Sequence, residues 1–313
     1  MKLIDFHCDT ILRLMEKGEQ ASLRENDLSV DIRKLRAGSV MAQFFALFVD
    51  LAKTDNPLDT CLTMLDRFYR ELEANKEAIQ IATCWRDIMD NDAAGKISAF
   101  LTIEEGGVLG GKLSHLRNFH RLGVRLVTLT WNYPNEIGFP NAKEEYRKQG
   151  LTEFGREVVA EMNRLGMLID VSHLSDQGFY DVASLSTRPF VASHSNARAI
   201  TPHPRNLTDD MIRVLAEKGG IAGLNFAKQF LGDRDISLVE DMVRHVRHIY
   251  KVGGVDVLAV GTDFDGIKPK QEVASSAEMD KLAQGLAKAG FSEGEIEKIF
   301  HGNALRVIRD TLG

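Results

Sequence analysis

The strongest constraint on this chain is an alternation. Short, almost wholly apolar runs of Val, Ile, Leu and Phe are separated by longer amphipathic stretches along its length. A strand reads as a continuous apolar run when both faces of its sheet are covered, as happens where helices pack on a parallel sheet. Such runs fall at Lys2–His7, Val40–Val49, Ile97–Glu104, Arg125–Trp131, Leu168–His173, Phe190–His194, Ile221–Phe226 and Val257–Asp263, with Ile79–Thr83 as a spare candidate. The segments between them carry helix punctuation. Thr208-Asp209-Asp210-Met211 opens a helix that Gly219-Gly220 closes, and Ser292-x-x-Glu295 spells a capping box. Gly123 and Gly166 each end a helix just before a strand. Eight strand–helix units predict a (β/α)8 TIM barrel of the α/β class, with residues 1–313 as a single domain. A dinucleotide-binding open sheet would show a Gly-x-Gly-x-x-Gly turn after its first strand, and none is present.

Length and charge narrow the function classes. A compact chain of 313 residues buries roughly 75% of the surface its unfolded form exposes, so a large core forms without staples. The net charge of −6 argues against nucleic acid or an anionic membrane as partner. Cys8, Cys61 and Cys84 are too few for a disulfide framework and suit free thiols in a reducing cytoplasm. The apolar run at Met1–His7 is too short for a signal peptide, and no stretch reaches the ~20 apolar residues of a membrane span.

In a barrel of this kind, chemistry gathers at the C-terminal ends of the strands. The polar residues expected there are His7-Cys8-Asp9, Glu104-Glu105, Trp131-Asn132, Asp170 to His173, Ser193-His194-Ser195, Asn225, and Asp263 to Gly266. One histidine at a strand end is ordinarily a hydrogen-bonded structural imidazole, and one carboxylate there is ordinarily a helix cap. Three histidines and at least three carboxylates on one rim are a recipe for divalent metal. His7-x-Asp9 places both side chains on one face of an extended segment. Glu105 precedes Gly106-Gly107, where the backbone turns sharply, and one carboxylate there can serve two ions. Glu104 competes for that role, because adjacent strand residues face opposite ways. Asp263 and Asp265 share a face if their strand continues. Asp170 has the wrong parity to share a site with His173. The polar stretch Asn132–Gly155 is a candidate lid.

Taken in order, Phe6-His7-Cys8-Asp9-Thr10, Glu105-Gly106-Gly107, Leu168 to His173, Ser193-His194-Ser195, Arg205-Asn206, Gly261 to Gly266 and Gly302 to Val307 resemble the renal, or membrane, dipeptidase family, a branch of the metal-dependent amidohydrolase barrels. The resemblance runs from His7 to Val307. It implies two zinc ions per subunit, one held by His7, Asp9 and Glu105, the other by Glu105, His173 and His194, with Glu105 as the bridge. It further implies Arg205 as anchor for the substrate's free carboxylate, Asp263 as proton-transfer residue, and a homodimer. The family's animal members place a histidine after the fourth strand. This chain has Trp131 there, beside Asn132, so the donor to the reaction's oxyanion is left open between these residues and zinc.

The expected activity is therefore hydrolysis of small dipeptides, L,D-dipeptides among them, by a hydroxide shared between two metals. The rivals are another two-metal barrel hydrolase (a lactonase, a β-lactam hydrolase or a deaminase) and a metal-binding barrel without catalysis.

Overall fold

A computed structural model describes residues 1–268 and 270–313. Its strands are β1 (Leu3–Cys8), β2 (Val40–Phe48), β3 (Ile79–Ile81), β4 (Ile97–Glu104), β5 (Val124–Thr128), β6 (Leu168–Asp170), β7 (Val191–Ala192), β8 (Ile221–Leu224) and β9 (Leu258–Val260). All pair in parallel. They form one sheet in the order β2-β1-β9-β8-β7-β6-β5-β4-β3, which the pairing of β2 with β4 closes into a ring. Eight strands make the ring, so the fold is a (β/α)8 barrel. The spare run at Ile79 is a real strand but no stave. β3 pairs with Ile97–Ala99, the first part of β4, and β5 takes up the rest of that edge from Leu101.

Two apolar layers hold the barrel. Inside it, Phe44 stacks between Phe6 and Phe100, with ring centroids 4.4 and 4.5 Å away. The same cluster takes in Leu168, Val191 and Ile221, which begin their strands, and continues into Ala304, Val307 and Ile308 of the C-terminal helix Asn303–Leu312. The end where strands start is thus plugged with hydrocarbon, and the polar residues are left to the other end. Outside the ring, Leu47, Leu101, Ile103, Phe68 and Phe119 belong to the layer between strands and helices. The caps fall where the sequence puts them. Thr208 accepts from Met211 N–H, Ser292 and Glu295 complete a capping box, and Gly166 ends its helix at a φ of 67°.

Several strands stop sooner than the apolar runs suggest. β5 ends at Thr128, β6 at Asp170, β7 at Ala192 and β9 at Val260. Beyond them the backbone bends the site residues towards the mouth, with φ of 68° at His173 and 62° at Asp263. Non-glycine residues rarely adopt such angles, and they gather at functional sites when the surroundings enforce them.

Beneath the mouth, β7, β8 and β9 approach closely. A Cβ on Gly223 or Gly261 would run into the Ser193 carbonyl and the other glycine's Cα. We expect Gly261→Ala to destabilise the barrel by about 1–3 kcal/mol, the usual cost of overpacking, and to lower its thermal midpoint. Gly294→Ala, where an added Cβ meets nothing within 4 Å, is the matched control and should leave the midpoint unchanged or raise it.

Candidate metal centre at the barrel mouth

Each histidine at the mouth is delivered by a different strand or the loop just after it. His7 lies in β1, while His173 and His194 follow β6 and β7. All three are buried. Between them stands Glu104, the last residue of β4. Its Oε2 is 3.2 Å from His7 Nε2, and its Oε1 is 3.2 Å from His173 Nε2 and 3.7 Å from His194 Nε2. Asp9 Oδ2 lies 3.3 Å from His7 Nε2, and Asp263 Oδ1 lies 3.9 Å from it. His7 and Asp9 therefore meet, as their spacing suggests. Asp9 occupies the N-cap position of helix Thr10–Lys17, yet its side chain makes no capping hydrogen bond. It faces the histidine instead.

Glu105 is the correction. Its carboxylate leaves the centre and accepts from Gly107 N–H at 2.6 Å, Trp131 N–H at 3.0 Å and the Asn135 amide at 2.5 Å. The reason is strand parity. Leu101 and Ile103 point outward into the helix layer while Phe100 points inward, so position 104 inherits the inner face and 105 the outer. The signal was in the sequence: Ser98, Thr102 and Glu104 fall on one alternation of an otherwise apolar strand. Glu105 ties the β4 and β5 loops together rather than meeting the histidines.

The electrostatics describe a place short of positive charge. Burial alone would hold His7 down, but Glu104 and Asp9 more than offset it and pull its imidazole well above the ordinary range. Burial pushes His173 and His194 well below theirs, helped by Arg205 and His7. Neutral imidazoles are the form that binds metal. Burial also raises the Glu104 and Asp263 carboxyls. His7 Nδ1, His7 Nε2 and Asp9 Oδ1 are buried without a hydrogen-bond partner. An unsatisfied buried polar atom costs about 1–3 kcal/mol, and a cation taking one His7 nitrogen and Asp9 Oδ1 would remove that cost for those two atoms. Two overlapping sets, His7 with Glu104 and His194, and His7 with Asp9 and Asp263, keep their donor atoms within 4.8 Å of one another. The nitrogen and oxygen donors fit divalent metal such as zinc.

The remaining candidates divide. Asp263 takes a hydrogen bond from the Asn225 amide at 2.9 Å and lines the cleft. Asp265 does not share its face, because both residues turn left-handed, with φ of 62° and 67°. Asp265 instead accepts from the Thr10 hydroxyl and Ser29 N–H. Gly266 passes so close to Asp9 and Asp263 that a Cβ there would strike both carboxylates. Asn132 Oδ1 contacts His173 Nδ1 at 3.2 Å, so this side chain is engaged with a ring. Trp131 lies edge-on to Phe48 and walls the cleft with it. Arg205 is buried beside the centre, with Nη2 donating to the His194 carbonyl and its Nε unpartnered. Its guanidinium lies 5.3 Å from the Phe230 ring, and Phe230, not Arg205, lines the cleft. Of the candidate lid, Asn141 N–H bonds the His173 carbonyl and Phe139 O accepts from Ser175 N–H, which pins its first half to the β6 loop. The cleft holds about 450 Å³ and is walled by Leu12, Phe48, Trp131, Phe230 and Ile267 above the carboxylates.

Comparison with known proteins gives a consistent result. A family model described as membrane dipeptidase, peptidase family M19, matches residues 1–312. Dipeptidase aclJ of Aspergillus oryzae is 32% identical over 294 residues, which cover 90% of this chain and 69% of that protein. Among solved structures, dipeptidase AC, an M19 metallopeptidase, superposes with a TM-score of 0.92 at 29% identity, over 100% of this chain and 99% of that one. A metallopeptidase of Rhodobacter sphaeroides, solved with a phosphinate mimic of the dipeptide L-Ala-D-Ala, gives 0.89 at 28% identity over 99% of each chain.

Proposed function

Because the chain belongs to the membrane dipeptidase family, peptidase family M19, and is a metal-dependent dipeptidase, we propose that it works with two zinc ions that share Glu104. His7, Asp9 and Glu104 would hold one, and Glu104, His173 and His194 the other. The observation that carries this reading is the Glu104 carboxylate itself, with one oxygen towards His7 and the other towards His173 and His194. The unpartnered buried atoms of His7 and Asp9 support it. Two such cations would lower the pKa of a water to near neutrality and would polarise the scissile carbonyl.

The chain's own residues supply the rest. Asp263, pushed up to about 6 by burial and steadied by Asn225, accepts the proton of the attacking water and returns it to the departing nitrogen. Arg205, buried beside the centre with its Nε unpartnered, binds the substrate's free carboxylate through parallel hydrogen bonds. Burial pushes its guanidinium down only to about 10, so it stays charged at neutral pH. An anchor for a free carboxylate favours dipeptides over long chains. The Rhodobacter sphaeroides neighbour, liganded by its L-Ala-D-Ala mimic, supports a substrate with a D-residue on the C-terminal side.

Two measurements test this. Metal analysis of the purified chain should give two zinc ions per chain. Dipeptide hydrolysis should disappear on chelation, and hydrolysis that survives complete metal removal contradicts the reading. Arg205→Ala should lower kcat/KM on L-Ala-D-Ala by roughly 10–150-fold, the equivalent of about 1.5–3 kcal/mol for hydrogen bonds to a charged group. The same substitution should matter little for the C-terminal amide of that dipeptide. Equal losses on acid and amide would remove Arg205 as anchor.

A further inference from the structure

Below the two histidines that follow β6 and β7 lies a hydrogen-bond network that the chemistry above does not use. Its hub is Asp170, the last residue of β6, on the same inner alternation as Leu168. Asp170 Oδ1 accepts from Ser172 N–H at 2.9 Å and Ser193 N–H at 2.8 Å. Its Oδ2 accepts from the Thr128 hydroxyl at 2.6 Å and the Ser193 hydroxyl at 2.6 Å. A carboxylate has about four acceptor positions, and four donors fill them. All of these residues are buried.

The consequence passes through Ser193. A hydroxyl has one proton, and Ser193 gives its proton to Asp170. At its second short contact, 2.7 Å from His194 Nδ1, Ser193 Oγ can only accept. The proton of a neutral His194 must then sit on Nδ1, which leaves the Nε2 lone pair facing Glu104 Oε1. His173 follows the same logic. Its Nδ1 meets Asn132 Oδ1, an oxygen that accepts and cannot donate. The two Nε2 atoms stand 3.1 Å apart. Two lone pairs at that distance repel each other, and a cation beside both relieves the repulsion.

We propose that Asp170 and Ser193 are positioning residues that fix His194 as its Nδ1–H tautomer, with Asn132 doing the same for His173, so that both rings present Nε2 to a cation before it arrives. The inference rests on the two-zinc reading and deepens it. Outer partners of metal-binding histidines set ring orientation and basicity, and losing one typically costs about 10–100-fold in metal affinity. A purely structural network would change stability and leave metal affinity alone.

The test uses the full chain and zinc alone. Zinc affinity is measured by competition with a chromophoric chelator for the parent, Ser193→Ala and Ser193→Thr. Ser193→Ala should bind zinc about 10–100-fold more weakly, and Ser193→Thr, which keeps the hydroxyl, should bind within a few-fold of the parent. Parent-like affinity in Ser193→Ala overturns the proposal. A parent chain that takes up no zinc overturns the two-zinc reading and this inference together. A second readout needs no variant: long-range proton–nitrogen spectra of the metal-free parent should place the His194 proton on Nδ1. A proton on Nε2 overturns the proposal even if Ser193→Ala fails to fold.

Discussion

Glu104→Gln is expected to empty the metal centre and abolish dipeptide hydrolysis, whereas Glu105→Gln is expected to keep both. The two residues are neighbours of the same type, so composition and local sequence are nearly matched between the variants. What differs is direction. Glu104 stands within 3.2 Å of both His7 and His173, and an amide in its place offers one oxygen and no negative charge. The loss of metal affinity should exceed the roughly 10–100-fold typical of losing an outer partner, because the carboxylate proposed to serve both cations is removed outright. Glu105→Gln instead weakens an acceptor that holds Gly107, Trp131 and Asn135. Its cost should appear in stability, at about 1–3 kcal/mol. Metal content and kcat/KM, measured side by side, distinguish the outcomes. A metal-free Glu105→Gln beside a fully loaded Glu104→Gln would reverse the assignment.

Asp263→Asn is expected to retain both metals and lose turnover by about 10²–10⁴, the span for a positioned acid or base. Asp263 sits 3.9 Å from His7 Nε2 and is oriented by Asn225, so the amide fits the same space but cannot exchange the proton. The pH profile carries the same information. Asp263 must be unprotonated to act as base, so activity should fall as the pH drops through its pKa. Burial sets that value at about 6 without cations, and bound cations shift it lower. The acid limb should disappear in the variant. Parent-like turnover in fully metallated Asp263→Asn would take this residue out of the reaction.

The fold was legible because barrel strands are covered on both faces and must be apolar throughout. That rule located every stave, and also β3, which looks like a stave and lies outside the ring. The strand ends were less legible. Polar tips such as His173 and Asp263 leave the extended conformation for left-handed turns, and residue parity stops being a guide there. Parity pairs Asp265 with Asp263 only if the strand continues, and left-handed turns at both residues end it. Glu105 shows the opposite error. Parity still holds through Glu104, and the alternation of Ser98, Thr102 and Glu104 marks the inner face, whereas the Gly106-Gly107 turn favours Glu105 only by its place in the sequence. Asp170 lies on the inner alternation with Leu168, so parity does not separate it from the site; its carboxylate is occupied instead by Thr128, Ser172 and Ser193. Its importance as a hub depends on Ser193, which comes from another strand, and no local pattern brings the two together.

The most direct test of the shared carboxylate is anomalous scattering at the zinc edge from crystals of the zinc-loaded chain. Two peaks about 3.5–4 Å apart, one on the His7–Asp9 side of Glu104 and one on the His173–His194 side, are the expected result. A single peak, or peaks that contact Glu105 and leave Glu104 free, would contradict it.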